Sequence, residues 1–199
     1  MQVGEFYFFD LSEPEPPTPP SDFDFKGDVN YSGSANGTIS AGEEPNSFTV
    51  KGSGADVWGD NDQFFYAAKK VEGDFDYTVC VESFDGSSNA WAKAGIMVRE
   101  ADADDNQIGN ARRFALQVQT ETGKGSSSTD YWASYRDAVG ASVGDGQCVH
   151  NGPFVFPHLQ RIAYVDGVVY GMISEDQGET WNVLTVIDTN TWADGRLSN

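Results

Sequence analysis

Hydrophobic and polar residues alternate along the chain in short segments, which is the pattern of half-buried β-strands. Nine segments carry this pattern and are separated by turn-forming stretches such as FDGSSN and ETGKGSSS. No long segment shows the apolar repeat of about 3.6 residues that marks a surface helix. The sequence therefore predicts an all-β fold, an antiparallel β-sandwich. The segments span residues 47–52, 62–70, 73–84, 92–100, 112–120, 130–136, 158–166, 168–175 and 181–188.

The segment AKAGIMVRE shows how this alternation sorts side chains between two faces. Ala94, Ile96 and Val98 fall on one face, whereas Lys93, Gly95, Met97 and Arg99 fall on the other. Trp91 lies on the second set, so we expect it to pack in the core, with the strand covered on both faces. We expect Lys93 and Arg99 to form internal salt bridges with some of the many carboxylates.

The first 26 residues differ from the rest and are predicted to form an extended arm, with the sandwich occupying residues 27–199. Phe6, Tyr7, Phe8 and Phe9 form an aromatic segment, and five prolines follow between Pro14 and Pro20. Because proline fixes φ and lacks an N–H, this spacer should be extended and stiff. We expect the aromatic segment to dock on another chain; the alternative is that it closes its own sheet.

The strongly acidic composition narrows the class of partner. The chain has 12 Lys and Arg against 31 Asp and Glu, for a net charge of −19. Such a surface repels phosphate backbones, so nucleic-acid binding is not expected. No segment approaches the roughly 20 apolar residues of a membrane span, and the N-terminus lacks the basic and apolar regions of a signal peptide.

The stretch SEDQGETW has the S-x-D-x-G-x-T-W pattern of an Asp-box, a motif best known from sialidases. It comprises Ser174, Asp176, Gly178, Thr180 and Trp181. The Asp176 carboxylate can accept hydrogen bonds from nearby backbone N–H groups, and Gly178 provides a site where positive φ is cheap. The motif occurs once, without repeats at propeller spacing, so we interpret it as a structural hairpin turn.

Two further segments are fairly specific. GSGADVWG runs from Gly52 to Gly59, and WAKAGIMVRE runs from Trp91 to Glu100. Together with the hairpin HLQRIAYVDGVVYGMISEDQGETW, they resemble the bacterial "regulation of enolase protein" domain of the concanavalin A-like lectin and glucanase superfamily, over residues 30–190 or so. The resemblance implies a concanavalin A-like jelly roll. The chain stops soon after the last hairpin, which predicts missing closing strands and an open sheet edge.

Catalytic groups are not evident in the sequence. Glucanases of this superfamily carry a Glu-x-Asp-x-x-Glu set on one strand, which aims paired carboxylates into one cleft. No strand here carries that set, so no catalytic residue is nominated and hydrolase activity is not expected.

Two groups of residues are candidates for binding. Asp102, Asp104, Asp105 and Asn106 offer the hard oxygen ligands that Ca²⁺ prefers, although the loop lacks the twelve-residue calcium pattern. Sugars stack on exposed aromatic rings in lectin-like sites. The candidate carbohydrate-binding residues are therefore Trp58, Tyr131, Trp132 and Tyr135. Solvated acidic loops and core packing are the structural alternatives.

The sequence thus predicts a non-catalytic structural or binding module. One setting is an assembly, such as a decoration or fibre protein of a phage-like particle, which contacts other subunits through the arm and the open edge. The other is a carbohydrate-binding module of a secreted or cell-surface protein.

Overall fold

The computed structural model describes residues 2–9, 23–30, 37–42, 44, 46–86, 89, 91–102, 104–121 and 128–197, with backbone alone at 2–9, 121, 128 and 129. These residues form strands and two short 3₁₀ helices, Asp145–Gln147 and Thr189–Thr191. None of the described segments is a helix long and apolar enough to cross a membrane. The strands are β1 (Gln2–Phe9), β2 (Phe25–Val29), β3 (Thr38–Ala41), β4 (Ser47–Gly52), β5 (Phe64–Ala68), β6 (Phe75–Asp85), β7 (Lys93–Arg99), β8 (Arg113–Glu121), β9 (Ser128–Arg136), β10 (Cys148–Pro153), β11 (His158–Val165), β12 (Val168–Ser174) and β13 (Asn182–Asp188).

The strands form two main antiparallel sheets. One has seven strands in the order β13-β12-β11-β6-β1-β4-β3, and the other has four in the order β10-β9-β8-β7. A separate two-stranded sheet pairs β2 with β5. The predicted all-β antiparallel fold is confirmed, and all nine predicted strands are present. The short strands β2, β3 and β10 were not predicted.

The main core lies between the two large sheets, which therefore form a sandwich. From the four-stranded sheet, alternate residues of β8 (Phe114, Leu116 and Val118) are fully buried. They belong to one apolar cluster with residues of the seven-stranded sheet such as Ile162 and Val169. Alternation along β8 leaves its other residues on the outward face of the smaller sheet, and this face contains the candidate site.

The N-terminal segment lies inside the chain's own sheet. β1 pairs with β4 from Gln2 to Tyr7 and with β6 from Val3 to Phe9, so it has neighbours on both sides. This is the own-sheet arrangement rather than the separate extended arm that the sequence favoured. A strand placed there satisfies the backbone N–H and C=O groups of two sheet edges at once. The side chains of Phe6, Tyr7, Phe8 and Phe9 and the proline-rich spacer lie outside the described residues.

The segment after β13 closes one end of the core. Trp192 and Leu197 are buried, and the Tyr164 hydroxyl donates to the Leu197 carbonyl at 2.6 Å. The Trp192 ring stacks on Tyr135 with centroids 6.1 Å apart. The chain therefore covers this end of its core with an irregular segment. β13 pairs only with β12 among the described strands and forms an edge of the large sheet.

Two local features are the turn between β11 and β12 and the position of Trp91. The Asp-Gly turn between β11 and β12 has positive φ at both Asp166 and Gly167, as a type I′ hairpin requires. The prediction that Trp91 packs in the core is wrong, because β7 begins only at Lys93 and Trp91 is 43% exposed. β7 itself is covered on both faces, since Val98, Lys93 and Arg99 are all buried.

Candidate functional site

The candidate site is the outward face of the four-stranded sheet, which is buried and polar along much of its area. Strand pairing arranges its side chains in rows that cross β7, β8, β9 and β10. We call this surface the polar face. Its rows are Arg99–Arg113–Arg136, Met97–Ala115–Ser134–Cys148, Gly95–Gln117–Trp132–His150 and Lys93–Gln119–Asp130–Pro153.

The first row surrounds one buried carboxylate. Arg136 grips Asp62 with two hydrogen bonds of 2.9 Å, and Arg113 Nε donates to Asp62 Oδ2, also at 2.9 Å. Arg99 Nη1 reaches the same oxygen at 3.2 Å. All four side chains are inaccessible or nearly so. Burial raises the pKa of Asp62, but the charges of Arg113, Arg136 and Arg99 outweigh it and hold the pKa below its ordinary value.

Backbone carbonyls occupy many of the remaining guanidinium N–H groups. Arg136 donates to the carbonyls of Gly59, Gly109, Ala111 and Ala141. Arg113 reaches Val57 O at 3.3 Å. Three loops that are distant in sequence are therefore fixed over one end of the polar face. The loop of Val57 is the one that carries Trp58.

The aromatic part of the site lies beyond this cluster. The Trp132 ring meets the Trp58 ring edge-on with centroids 5.6 Å apart, and it meets the His150 ring at 4.1 Å. Trp132 is buried, Trp58 is half-buried and His150 is exposed. His150 Nδ1 lies 3.8 Å from Asp130 Oδ2. A buried ring thus carries two partly accessible rings at its edges.

Lys93 lies beside these rings and is already engaged. Its Nζ donates to Asp56 Oδ1 at 2.5 Å and lies 5.8 Å from the Trp132 ring centroid. Arg99 pairs with Asp62, so the predicted internal salt bridges of Lys93 and Arg99 are both present. Asp56 comes from the loop of Trp58, and the Lys93–Asp56 pair therefore ties that loop to β7.

Two buried amide oxygens of the polar face have no partner among the described residues. Gln117 and Gln119 are 6% and 1% exposed, and neither Oε1 accepts a hydrogen bond from that part of the chain. The Trp132 N–H also lacks a regular partner and faces the Cys148 sulfur, a weak acceptor. Buried polar atoms normally have hydrogen-bond partners, so these groups single out the polar face as a candidate ligand site.

The four predicted carbohydrate-binding residues lie on two different faces of the four-stranded sheet. Trp58 and Trp132 meet on the polar face, as described. Tyr131 and Tyr135 project to the opposite side of β9, where Tyr131 is 1% exposed and Tyr135 stacks on Trp192. Because neighbouring residues on a strand point to opposite faces, Tyr131 and Trp132 cannot share a site.

The acidic loop does not gather its carboxylates. Asp102 Oδ1 accepts from the backbone N–H groups of Asp104 and Asn106 at 2.9 and 2.8 Å. Asp105 turns away and pairs with Lys70 at 2.8 Å. Among the described residues, no cluster of three or more His, Cys, Asp or Glu side chains has the arrangement of a metal site. The loop has the hydrogen bonding of a turn.

The Asp-box forms the turn between β12 and β13. Asp176 Oδ1 accepts from the Thr180 N–H at 2.9 Å and from the Ser174 hydroxyl at 2.7 Å. Gly178 has φ of 91°. These hydrogen bonds and the one from the Thr180 hydroxyl lower the pKa of Asp176 to about 2. The bond from the Thr180 hydroxyl has the largest effect. The Arg161 guanidinium carbon lies 5.2 Å from the centroid of the Trp181 ring, so the two side chains are in contact.

We expect Asp176→Ala to lower Tm by a few degrees and to leave ligand binding intact, because the carboxylate supports a turn away from the polar face. Differential scanning calorimetry measures the shift. The control is Glu179→Ala, which changes an exposed carboxylate of the same turn. A fully folded Asp176→Ala protein that no longer bound ligand would contradict the structural role.

His158 is a buried histidine away from the polar face. Its Nδ1–H donates to Val155 O at 2.7 Å, and its Nε2 accepts from Gln160 Nε2 at 3.2 Å. Burial lowers its pKa from 6.5 to about 4. The Glu175 carboxylate raises the pKa of His158 and so opposes the effect of burial. It accepts a hydrogen bond from the Tyr131 hydroxyl at 2.9 Å. A proton on His158 Nε2 would place its N–H group against the N–H group of Gln160 that donates to it.

We expect the free energy of unfolding to fall as the pH drops from about 6.5 to about 4, because the unfolded chain binds a proton that the folded chain excludes. The full effect is on the order of 3 kcal/mol. Urea melts across this range measure it. His158→Gln should lose this part of the slope, whereas His150→Gln should keep it; equal slopes for wild type and His158→Gln would contradict the assignment.

Cys80 and Cys148 are both free. Burial raises the pKa of Cys80 to about 12 and that of Cys148 to about 11. A thiol acts as a nucleophile in its thiolate form, so both are poorly suited to that role.

Sequence reasoning missed several residues of the polar face. His150 lies on β10, a short and largely polar strand after a Gly-rich stretch, so its segment gives no clear strand signal. Gln117 and Gln119 gave no signal beyond their alternation on β8.

Comparison of the chain with protein-family models, curated proteins and solved structures found no match.

Proposed function

We propose that this protein is a non-catalytic carbohydrate-binding module and that the polar face is its binding site. The observation that carries the proposal is the pair of buried, unpartnered oxygens of Gln117 and Gln119 beside the Trp58, Trp132 and His150 rings. A sugar supplies hydroxyl donors for such oxygens and an apolar ring face for such aromatics.

The resemblance to the concanavalin A-like superfamily supports this location. The two segments that carry the resemblance, Gly52 to Gly59 and Trp91 to Glu100, both contribute to the polar face. The first supplies Asp56 and Trp58, and the second supplies Lys93. We propose accordingly that the sandwich is a concanavalin A-like jelly roll. The proposed setting is a cell or particle surface, where the acidic chain meets glycans.

The experiment is a glycan array followed by isothermal titration calorimetry on the best ligand. We expect Trp58→Ala and His150→Ala to weaken binding at least tenfold, because each removes an accessible ring next to Trp132. Trp181→Ala is the matched control, since it removes a tryptophan that packs on Arg161 in the Asp-box turn. Full affinity in both site variants, or no glycan bound by the wild type, would refute the proposal.

A further inference from the structure

The polar face also constrains the class of glycan. Resting on the proposed function, we propose that the ligand is an uncharged glycan chain of several sugar units that lies across β7 to β10, from Trp91 to His150. Three features carry this inference: the kind of hydrogen-bonding groups on the polar face, the state of its charged groups, and the position of an exposed tryptophan.

The hydrogen-bonding groups on this face include two buried acceptors without a partner among the described residues. Gln117 and Gln119 lie two residues apart on β8, so their unpartnered oxygens point to the same side. Carboxylates of Asp130 and Asp56 are partly accessible on the same face. Acceptors of this kind need a ligand that brings donors, and sugar hydroxyls are abundant donors.

The accessible carboxylates beside the aromatic rings disfavour an acidic ligand. The nearest ammonium, that of Lys93, is held by Asp56 at 2.5 Å and also contacts the Trp91 carbonyl at 3.4 Å. A uronate or sialate would meet the carboxylates of Asp130 and Asp56 in a chain of net charge −19. Like-charge contacts of this kind lower affinity, so a neutral sugar fits the face better.

Trp91 extends the site beyond one sugar ring. The Thr120 N–H donates to the Ala92 carbonyl at 3.0 Å, so the pairing of β7 with β8 continues past Lys93. Lys93 Nζ contacts the Trp91 carbonyl at 3.4 Å, which places this turn residue beside Lys93. From β7 to β10 there are three strand spacings, roughly 14 Å in all, which is wider than one pyranose ring. Trp91 is 43% exposed and available for stacking at one end.

The test is calorimetry on the full chain with neutral oligosaccharides of one to six units, built on glucose, xylose, mannose or N-acetylglucosamine, and with uronic-acid oligosaccharides of matched length. We expect the affinity for one neutral series to rise at least tenfold from one to four units, with no measurable binding of the uronates. Trp91→Ala should flatten the dependence on length. Gln119→Met and Gln117→Met, which remove an acceptor while keeping the shape, should each weaken binding at least tenfold.

The outcomes separate the two proposals. Tight binding of single sugars without a gain from length, or preference for uronates, would overturn the extended neutral ligand and leave the carbohydrate-binding function standing. No binding of any glycan by the wild type would overturn both. The length and charge series use the wild-type protein, so they decide the question even where a glutamine variant fails to fold. Trp181→Ala, away from the face, should reproduce the wild-type dependence on length.

Discussion

Asp62→Asn is expected to lower the free energy of unfolding by about 3 to 5 kcal/mol, the scale for removing one partner of a buried ion pair. Asp62 is the carboxylate that Arg99, Arg113 and Arg136 all contact, and its side chain is fully buried. Asparagine keeps the shape but leaves three buried guanidinium groups without a negative partner. For a domain of this size, Tm should fall by roughly 10 °C.

A matched control is Asp105→Asn, which breaks the exposed salt bridge to Lys70. Exposed pairs contribute little because water screens them, so its melting curve should stay close to wild type. Chemical denaturation with circular dichroism compares the two variants. If Asp62→Asn unfolded at the wild-type midpoint, the backbone carbonyls alone would suffice to hold the arginines.

The fold class was predictable because alternation is a local signal. Most of the nine predicted strands have apolar residues at alternate positions, such as Phe114, Leu116 and Val118 of β8, and the turns between them have their own residue preferences. The strands that escaped prediction lack this signal: TISA is short and CVHNGP is largely polar. Strand order was not predictable, because the insertion of β1 between β6 and β4 depends on contacts across the whole chain.

The site was only partly predictable. Trp58 and Trp132 were singled out as aromatics, but their contact depends on a loop that Arg136 and Arg113 hold in place through carbonyls. Those arginines lie far from Asp62 in sequence, and no local pattern indicates that they converge. Tyr131 was indistinguishable from Trp132 as an aromatic candidate, since only the position of the strand in the sandwich decides which of two neighbouring residues faces the core.

Deleting residues 1–9 is expected to have the second large effect. β1 makes six residue pairs with β4 and seven with β6. Removing it leaves two strand edges unpaired in the middle of the large sheet. Even at about 0.5 kcal/mol per hydrogen bond, the free energy of unfolding should fall by at least roughly 3 kcal/mol. Thermal melts of the truncated chain measure this, and a synthetic peptide of residues 1–10 should restore part of the loss.

A pair of introduced cysteines tests whether β1 pairs with β4 of its own chain or of a neighbouring copy. Val3 lies opposite Lys51 on β4, and Lys51 is exposed, so an oxidant can reach the pair. In a background with serine at positions 80 and 148, Val3→Cys with Lys51→Cys should form a disulfide within one chain, and the oxidised protein should run as a monomer on a non-reducing gel. Disulfide-linked dimers and higher species would instead place β1 in a neighbouring copy. Because the same ladder would then join two chains, that result would favour the role in assembly.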